Sequence, residues 1–195
     1  SLVEEGKEVS APKKRPHAVI GFTGSPGAGK STLTAAMAAE AVRKGKRIAI
    51  IAYDPMSPIS SGALLGDRLR VDFNTVDEQV FYRSLARVGE DYSTLPDILD
   101  LVGGAGFEYV FVETVGAGQN DVAIRNVVDR TMVVLVPGMG DAVQMDKAGI
   151  LEIADSFIVN KADYDGDSAL VRELLDIASG REIFETVATQ GKGIL

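Results

Sequence analysis

Residues 24–31 read Gly-Ser-Pro-Gly-Ala-Gly-Lys-Ser and match the spacing GxxxxGK[ST]. The preceding run, HAVIGFT from His17 to Thr23, is apolar enough for a buried strand. The following run, STLTAAMAAEAVRKGK, places Leu33, Ala36, Met37, Ala41 and Val42 at helical spacing, with Gly45 as a stop. A strand, a glycine-rich turn and a helix, in that order, is the context in which this spacing holds phosphate. Glycines let successive N–H groups turn inward around phosphate oxygens, and the helix start adds partial positive charge. The expected nucleotide-binding residues here are Gly24, Ser25, Pro26, Gly27, Ala28, Gly29, Lys30, Ser31 and Thr32. Lys30 is expected to reach the β- and γ-phosphates, which makes it catalytic as well, and the Ser31 hydroxyl to ligate Mg²⁺.

The same alternation continues along the chain. RIAIIAYD, YVFVET, TMVVLVP, SFIVNKAD and EIFETVAT predict strands. Leu95 to Val102, closed by Gly103 and Gly104, predicts a helix, as do QNDVAIRNVV, QMDKAGILEIA and SALVRELLDIAS. Residues 55–94 show no clear period, and residues 1–16 read as a flexible N-terminal linker before one domain, 17–195. Strands alternating with helices predict an α/β fold: a mostly parallel central sheet with helices on both faces. Ligands of such folds sit outside the carboxyl ends of the strands.

Composition removes other classes. The chain has 195 residues, 46% of them hydrophobic and 25% charged, enough for one sizeable core and too apolar for a disordered chain. Apolar runs are too short for a transmembrane helix and no secretory signal is visible, so a soluble cytoplasmic protein away from membranes is expected. With no Cys and one His, His17, neither a disulfide framework nor a thiolate or histidine metal cluster can form. The net charge of −8 opposes nucleic-acid binding.

Asn160-Lys161-Ala162-Asp163 closes the strand SFIVN. A carboxylate there accepts from guanine N1–H and the 2-amino group, donors that adenine lacks. The Lys161 stem can lie along the base plane, and the Asn160 amide can support the loop or reach N7. Ala188, in Thr186-Val187-Ala188-Thr189, is placed to offer backbone N–H to guanine O6. Asp54 and Glu113 each end a strand, at the face where Mg²⁺ ligands belong, while Asp67 lies in the aperiodic stretch with no positional argument. Glu113-Thr-Val-Gly116 is spaced like the DxxG switch of GTPases, in which the Gly116 amide would sense the γ-phosphate; Glu113 and Gly116 are therefore catalytic candidates.

In this order the motifs resemble the cobalamin-related G-proteins, the methylmalonyl-CoA mutase-associated GTPases once labelled arginine/ornithine transport kinases. GFTGSPGAGKSTL, AYDPMSP, LLGDRLRV, VFYRSLA, YVFVETVGAGQND, VPGMGDAVQMDKAGI, IVNKADYDGD and TVATQGKGI carry the likeness across residues 18–194. The resemblance implies a P-loop NTPase G-domain of the class that includes signal-recognition and nickel-insertion GTPases. It implies GTP/GDP and Mg²⁺ as cofactors, with Ser31, Asp54, Asp67 and Glu113 at the metal. It also implies that Asp141, Gln144 and Lys147 relay nucleotide state to the mutase. Members usually carry an N-terminal helical extension and a C-terminal dimerisation arm. This chain stops at Leu195, as an excised G-domain or a reduced member would, so the usual dimerisation arm is expected to be absent while a homodimer is left open.

The function expected is a Mg²⁺-dependent GTP-hydrolysing switch that chaperones a cobalamin-dependent acyl-CoA mutase. Three alternatives compete with it. A nickel-insertion metallochaperone needs soft or imidazole ligands that this composition lacks. A small-molecule kinase needs a lid with clustered Arg and an acceptor-site base, and neither is apparent. A non-hydrolysing binding module fits poorly with an intact Lys30, Ser31 and carboxylate set.

Overall fold

The computed structural model describes residues 14–55, 79–87, 92–114, 119–138, 149, 152–164 and 169–194. Among the described residues seven strands form one sheet: β1 (Ala18–Thr23), β2 (Ile48–Pro55), β3 (Val80–Arg87), β4 (Tyr109–Thr114), β5 (Arg130–Leu135), β6 (Ser156–Asn160) and β7 (Glu182–Thr186). Their spatial order is β3-β2-β4-β1-β5-β6-β7, and every pairing is parallel. The α-helices bounded among the described residues are α1 (Lys30–Arg43), α2 (Leu95–Gly104) and α3 (Ala169–Ile177). Parallel pairing puts all strand carboxyl ends along one edge. β1 lies inside the sheet between β4 and β5, so the loop that follows it opens at the middle of that edge.

The two faces have separate cores, as the strand period of two requires. On one face Phe22, Ile48, Ile50, Phe111, Val134 and Ile158 pack under Leu33 and Ala38 of α1. On the other, Val19, Ile51, Val110 and Val112 pack with Leu95, Ile98 and Leu99 of α2, and Val133, Phe157 and Val159 pack with Leu174 of α3. Right-handed crossovers account for the division. Chain connections moving one way along the sheet fall on one face, and those moving back fall on the other. An apolar groove of about 510 Å³ opens on the α1 face, lined by Met37, Ala41, Tyr109, Met132 and Phe184 among others. No residue of the 24–30 loop lines it.

The structure adds a strand and a helix type to the sequence expectations. The stretch 55–94 contains a strand, β3, which pairs with β2 in parallel from Ile48↔Val80 to Pro55↔Arg87. Its sequence, VFYRSLAR, mixes Arg and Ser with apolar residues because it is the outermost strand, with Phe81 exposed. QNDVAIRNVV forms the helix expected there, as a 3-10 helix over Gln119–Asn126. Its Ile124 is fully buried and packs against β1. Most of QMDKAGILEIA lies outside the described residues. Lys14–Pro16 run beside α2, where the Lys14 N–H donates to the Asp100 carbonyl, and Arg15 pairs with Asp129 at 2.8 Å.

Candidate functional site

The loop from Gly24 to Gly29 leaves the end of β1 and enters α1 at Lys30. Its glycines are demanded by close approach. A Cβ on Gly24 would collide with the Val134 carbonyl oxygen of β5. Gly29 caps α1 at φ 85, and a Cβ there would meet Asn160 Nδ2 at 2.6 Å. A side chain at either position would push the loop off the sheet or off Asn160. Lys30 is buried, and its ammonium donates to the Gly24 carbonyl at 2.6 Å and the Ser25 carbonyl at 3.2 Å. The cation thus folds back over the loop that it follows.

Glu113 lies near the carboxyl end of β4 in register with Phe22, on the face that carries α1. It is only 4% exposed. Burial of a carboxylate needs donors, and hydroxyls of α1 supply two. Ser31 Oγ donates to Oε2 at 2.8 Å, and Thr34 Oγ1 donates to Oε1. Thr34 has no counterpart in the motif reading. The signal available was its place three residues after Ser31, which puts both hydroxyls on one face of α1.

Asn160, at the end of β6 and 2% exposed, has both amide atoms engaged. Its Nδ2 donates to the Ala28 carbonyl at 2.9 Å. Its Oδ1 accepts from Thr186 Oγ1 at 3.1 Å and from the Ala188 N–H at 3.2 Å. Of the two uses considered for this amide, the structure has it supporting the loop. The Ala188 N–H is likewise turned to Asn160 here. Lys161 adopts φ 56, uncommon for a residue with a Cβ, and its ammonium donates to the Gly27 carbonyl at 3.0 Å. Asp163 follows in the 3-10 turn Ala162–Tyr164, with its side chain exposed.

The structure therefore brings together residues 24–32, Glu113, Asn160, Lys161 and Ala188. Asp54 closes β2 at the same sheet edge, with its side chain outside the description. Asp67, Gly116, Asp141, Gln144 and Lys147 lie outside the described residues. The Ser31 hydroxyl and Glu113 carboxylate are hard oxygen donors, a set that fits Mg²⁺ rather than a softer ion. Among the described residues no three His, Cys, Asp or Glu side chains converge into a metal cluster, and no helix is long and apolar enough to cross a membrane.

The chain and its fold have likenesses among known proteins. A family model described as "Methylmalonyl Co-A mutase-associated GTPase MeaB" matches residues 8–193. A Pyrococcus abyssi relative is 44% identical over 190 residues, 90% of this chain and 59% of that protein. GTPase ArgK of Escherichia coli is 35% identical over 170 residues, 86% of this chain and 49% of ArgK. The crystal structure of LAO/AO transport system kinase matches with a TM-score of 0.64 at 26% identity, over 94% of this chain and 57% of that one. The chain thus spans between 49% and 59% of the length of these proteins. The fold is that of the P-loop NTPases, and the chain belongs to the family of methylmalonyl Co-A mutase-associated GTPases, MeaB.

Proposed function

We propose that this chain is the nucleotide-binding unit of a Mg²⁺-dependent switch that hydrolyses GTP and chaperones a cobalamin-dependent acyl-CoA mutase. The observation that carries the guanine-nucleotide part is the seam between Asn160-Lys161 and the loop. Asn160 Nδ2 holds the Ala28 carbonyl, and Lys161 Nζ holds the Gly27 carbonyl. A segment suited to a purine base is thereby clamped to a segment suited to phosphates. The mutase part rests on the family's description.

In this reading the loop N–H groups and the α1 N-terminus receive the phosphates, and Lys30 neutralises charge on them. Ser31 and Glu113, with Asp54 and Asp67, would hold the cation. Mg²⁺, when bound, offsets the charge that develops on the phosphate oxygens. Asp163 reads the base, and Gly116 senses the γ-phosphate. In the cell the unit acts in the cytoplasm, away from membranes and nucleic acid.

Calorimetric titration with GDP and ADP tests the nucleotide part, with tight GDP binding and much weaker ADP binding as the expected result. Equal affinities would overturn it. Co-purification of the GTP- and GDP-loaded forms with cobalamin-dependent acyl-CoA mutases tests the partner, and no nucleotide-dependent capture of any of them would remove it.

A further inference from the structure

We propose that Thr34 is a positioning residue for the metal site, acting through Glu113; the proposal rests on the Mg²⁺-dependent reading above. Thr34 is fully buried, one helical turn beyond Ser31 on α1. Its hydroxyl meets Glu113 Oε1 while the Ser31 hydroxyl meets Oε2. The two carboxylate oxygens are thus each assigned to one hydroxyl of the same helix face.

The consequence follows from what a hydroxyl can do. Ser31 has one side-chain proton, and Glu113 accepts it at 2.8 Å. With that proton committed to the carboxylate, the lone pairs of Ser31 Oγ are directed elsewhere and are available to a cation. The orientation of Ser31 therefore depends on the rotamer of Glu113. A Glu side chain has three torsions, and a hydroxyl holding one oxygen still lets the carboxylate pivot about that bond. The bond from Thr34 to the other oxygen opposes the pivot.

A purely structural role competes with this. Thr34 Oγ1 also lies 3.2 Å from the Ser31 carbonyl, the ordinary back-bond of a helical Thr. The hydroxyl has one proton for two acceptors. An ionised carboxylate is the stronger acceptor, so the proton belongs to Glu113. If the back-bond were the real use, removing the hydroxyl would leave the metal site unchanged.

The two roles separate in metal affinity. Mn²⁺ serves as the probe, titrated into the GDP complex by electron paramagnetic resonance, beside calorimetric GDP affinity. Thr34→Val keeps shape and removes the hydroxyl; Thr34→Ser keeps the hydroxyl. Thr34→Val is expected to weaken Mn²⁺ binding by roughly tenfold or more, and GDP affinity by less, with Thr34→Ser restoring the metal. Mn²⁺ affinity within about twofold of the unmodified protein in Thr34→Val would overturn the proposal. If Thr34→Val does not fold, Thr34→Ala and Thr34→Ser form the same comparison, and equal Mn²⁺ affinity in that pair overturns it. An unmodified GDP complex that binds no Mn²⁺ would sink the metal reading itself, and this proposal with it.

Discussion

Asn160 and Ala28 stand 132 residues apart in the chain and are joined by a 2.9 Å hydrogen bond from the Asn160 amide to the Ala28 carbonyl. The other end of the same amide accepts from Thr186 and Ala188. One buried side chain thus ties the loop after β1 to the turn after β7, through the end of β6. The three segments that would surround a nucleotide form one hydrogen-bonded unit, and its geometry predicts how substitutions act.

Asn160→Ala removes all three bonds and leaves buried partners on two loops without their acceptor or donor. The expected cost is about 2–4 kcal/mol of stability, read as a lower urea midpoint with an unchanged slope. GDP affinity should fall with it, because the phosphate loop and the turn after β7 lose their common anchor. A midpoint within error of the unmodified protein would show that the network carries no stability.

Asp163→Asn replaces one acceptor oxygen with a donor at the position assigned to guanine N1–H and the 2-amino group. GDP affinity is expected to fall by about tenfold or more, and XDP, whose base offers an acceptor there, to gain. Calorimetry with GDP, XDP and ADP reads the exchange. Unchanged preference for GDP would move base recognition away from Asp163.

Intrinsic hydrolysis is expected to be slow. In Ras-type GTPases a Gln orients the attacking water, and the position after Glu113-Thr-Val-Gly116 is Ala117, with Gln119 two residues further on. A supplied arginine finger is worth on the order of 10³–10⁵ in rate. Single-turnover assays with and without candidate mutases are expected to show acceleration by the partner. Turnover of several per second by the chain alone would mean a complete catalytic set and would rule out partner dependence.

At the opposite edge of the sheet, Lys46 pairs with Glu108 at 3.1 Å. The hydrogen bond from Lys46 holds the Glu108 carboxyl below its ordinary range, and the same bond raises Lys46. The lowered Glu108 contributes stability above the ordinary carboxylate range and loses it as pH falls through its lowered value. The raised Lys46 contributes below the ordinary lysine range and loses it as pH rises through its raised value. Glu108→Gln should therefore cost stability at neutral pH, the difference fading in acid and shrinking in high salt. Urea midpoints at neutral and acidic pH check the sign; a difference that grows in acid would contradict it.

Local pattern determined much of this protein. The loop at 24–29, the helix that follows it and the apolar runs of the inner strands all depend on neighbours in sequence, through glycine conformations and the periods of helix and strand. Asn160-Lys161-Ala162-Asp163 is legible for the same reason, as a fixed spacing after a strand. Tertiary structure decided the rest. β3 is hidden in the sequence because an edge strand need not be apolar throughout, and its place beside β2 comes from the crossover, not from its own residues. Thr34 carries no motif, and its partner Glu113 lies 79 residues away. Only the packing of α1 across β4 brings that hydroxyl to that carboxylate, because side-chain contacts between distant segments follow from how the elements pack and not from spacing along the chain.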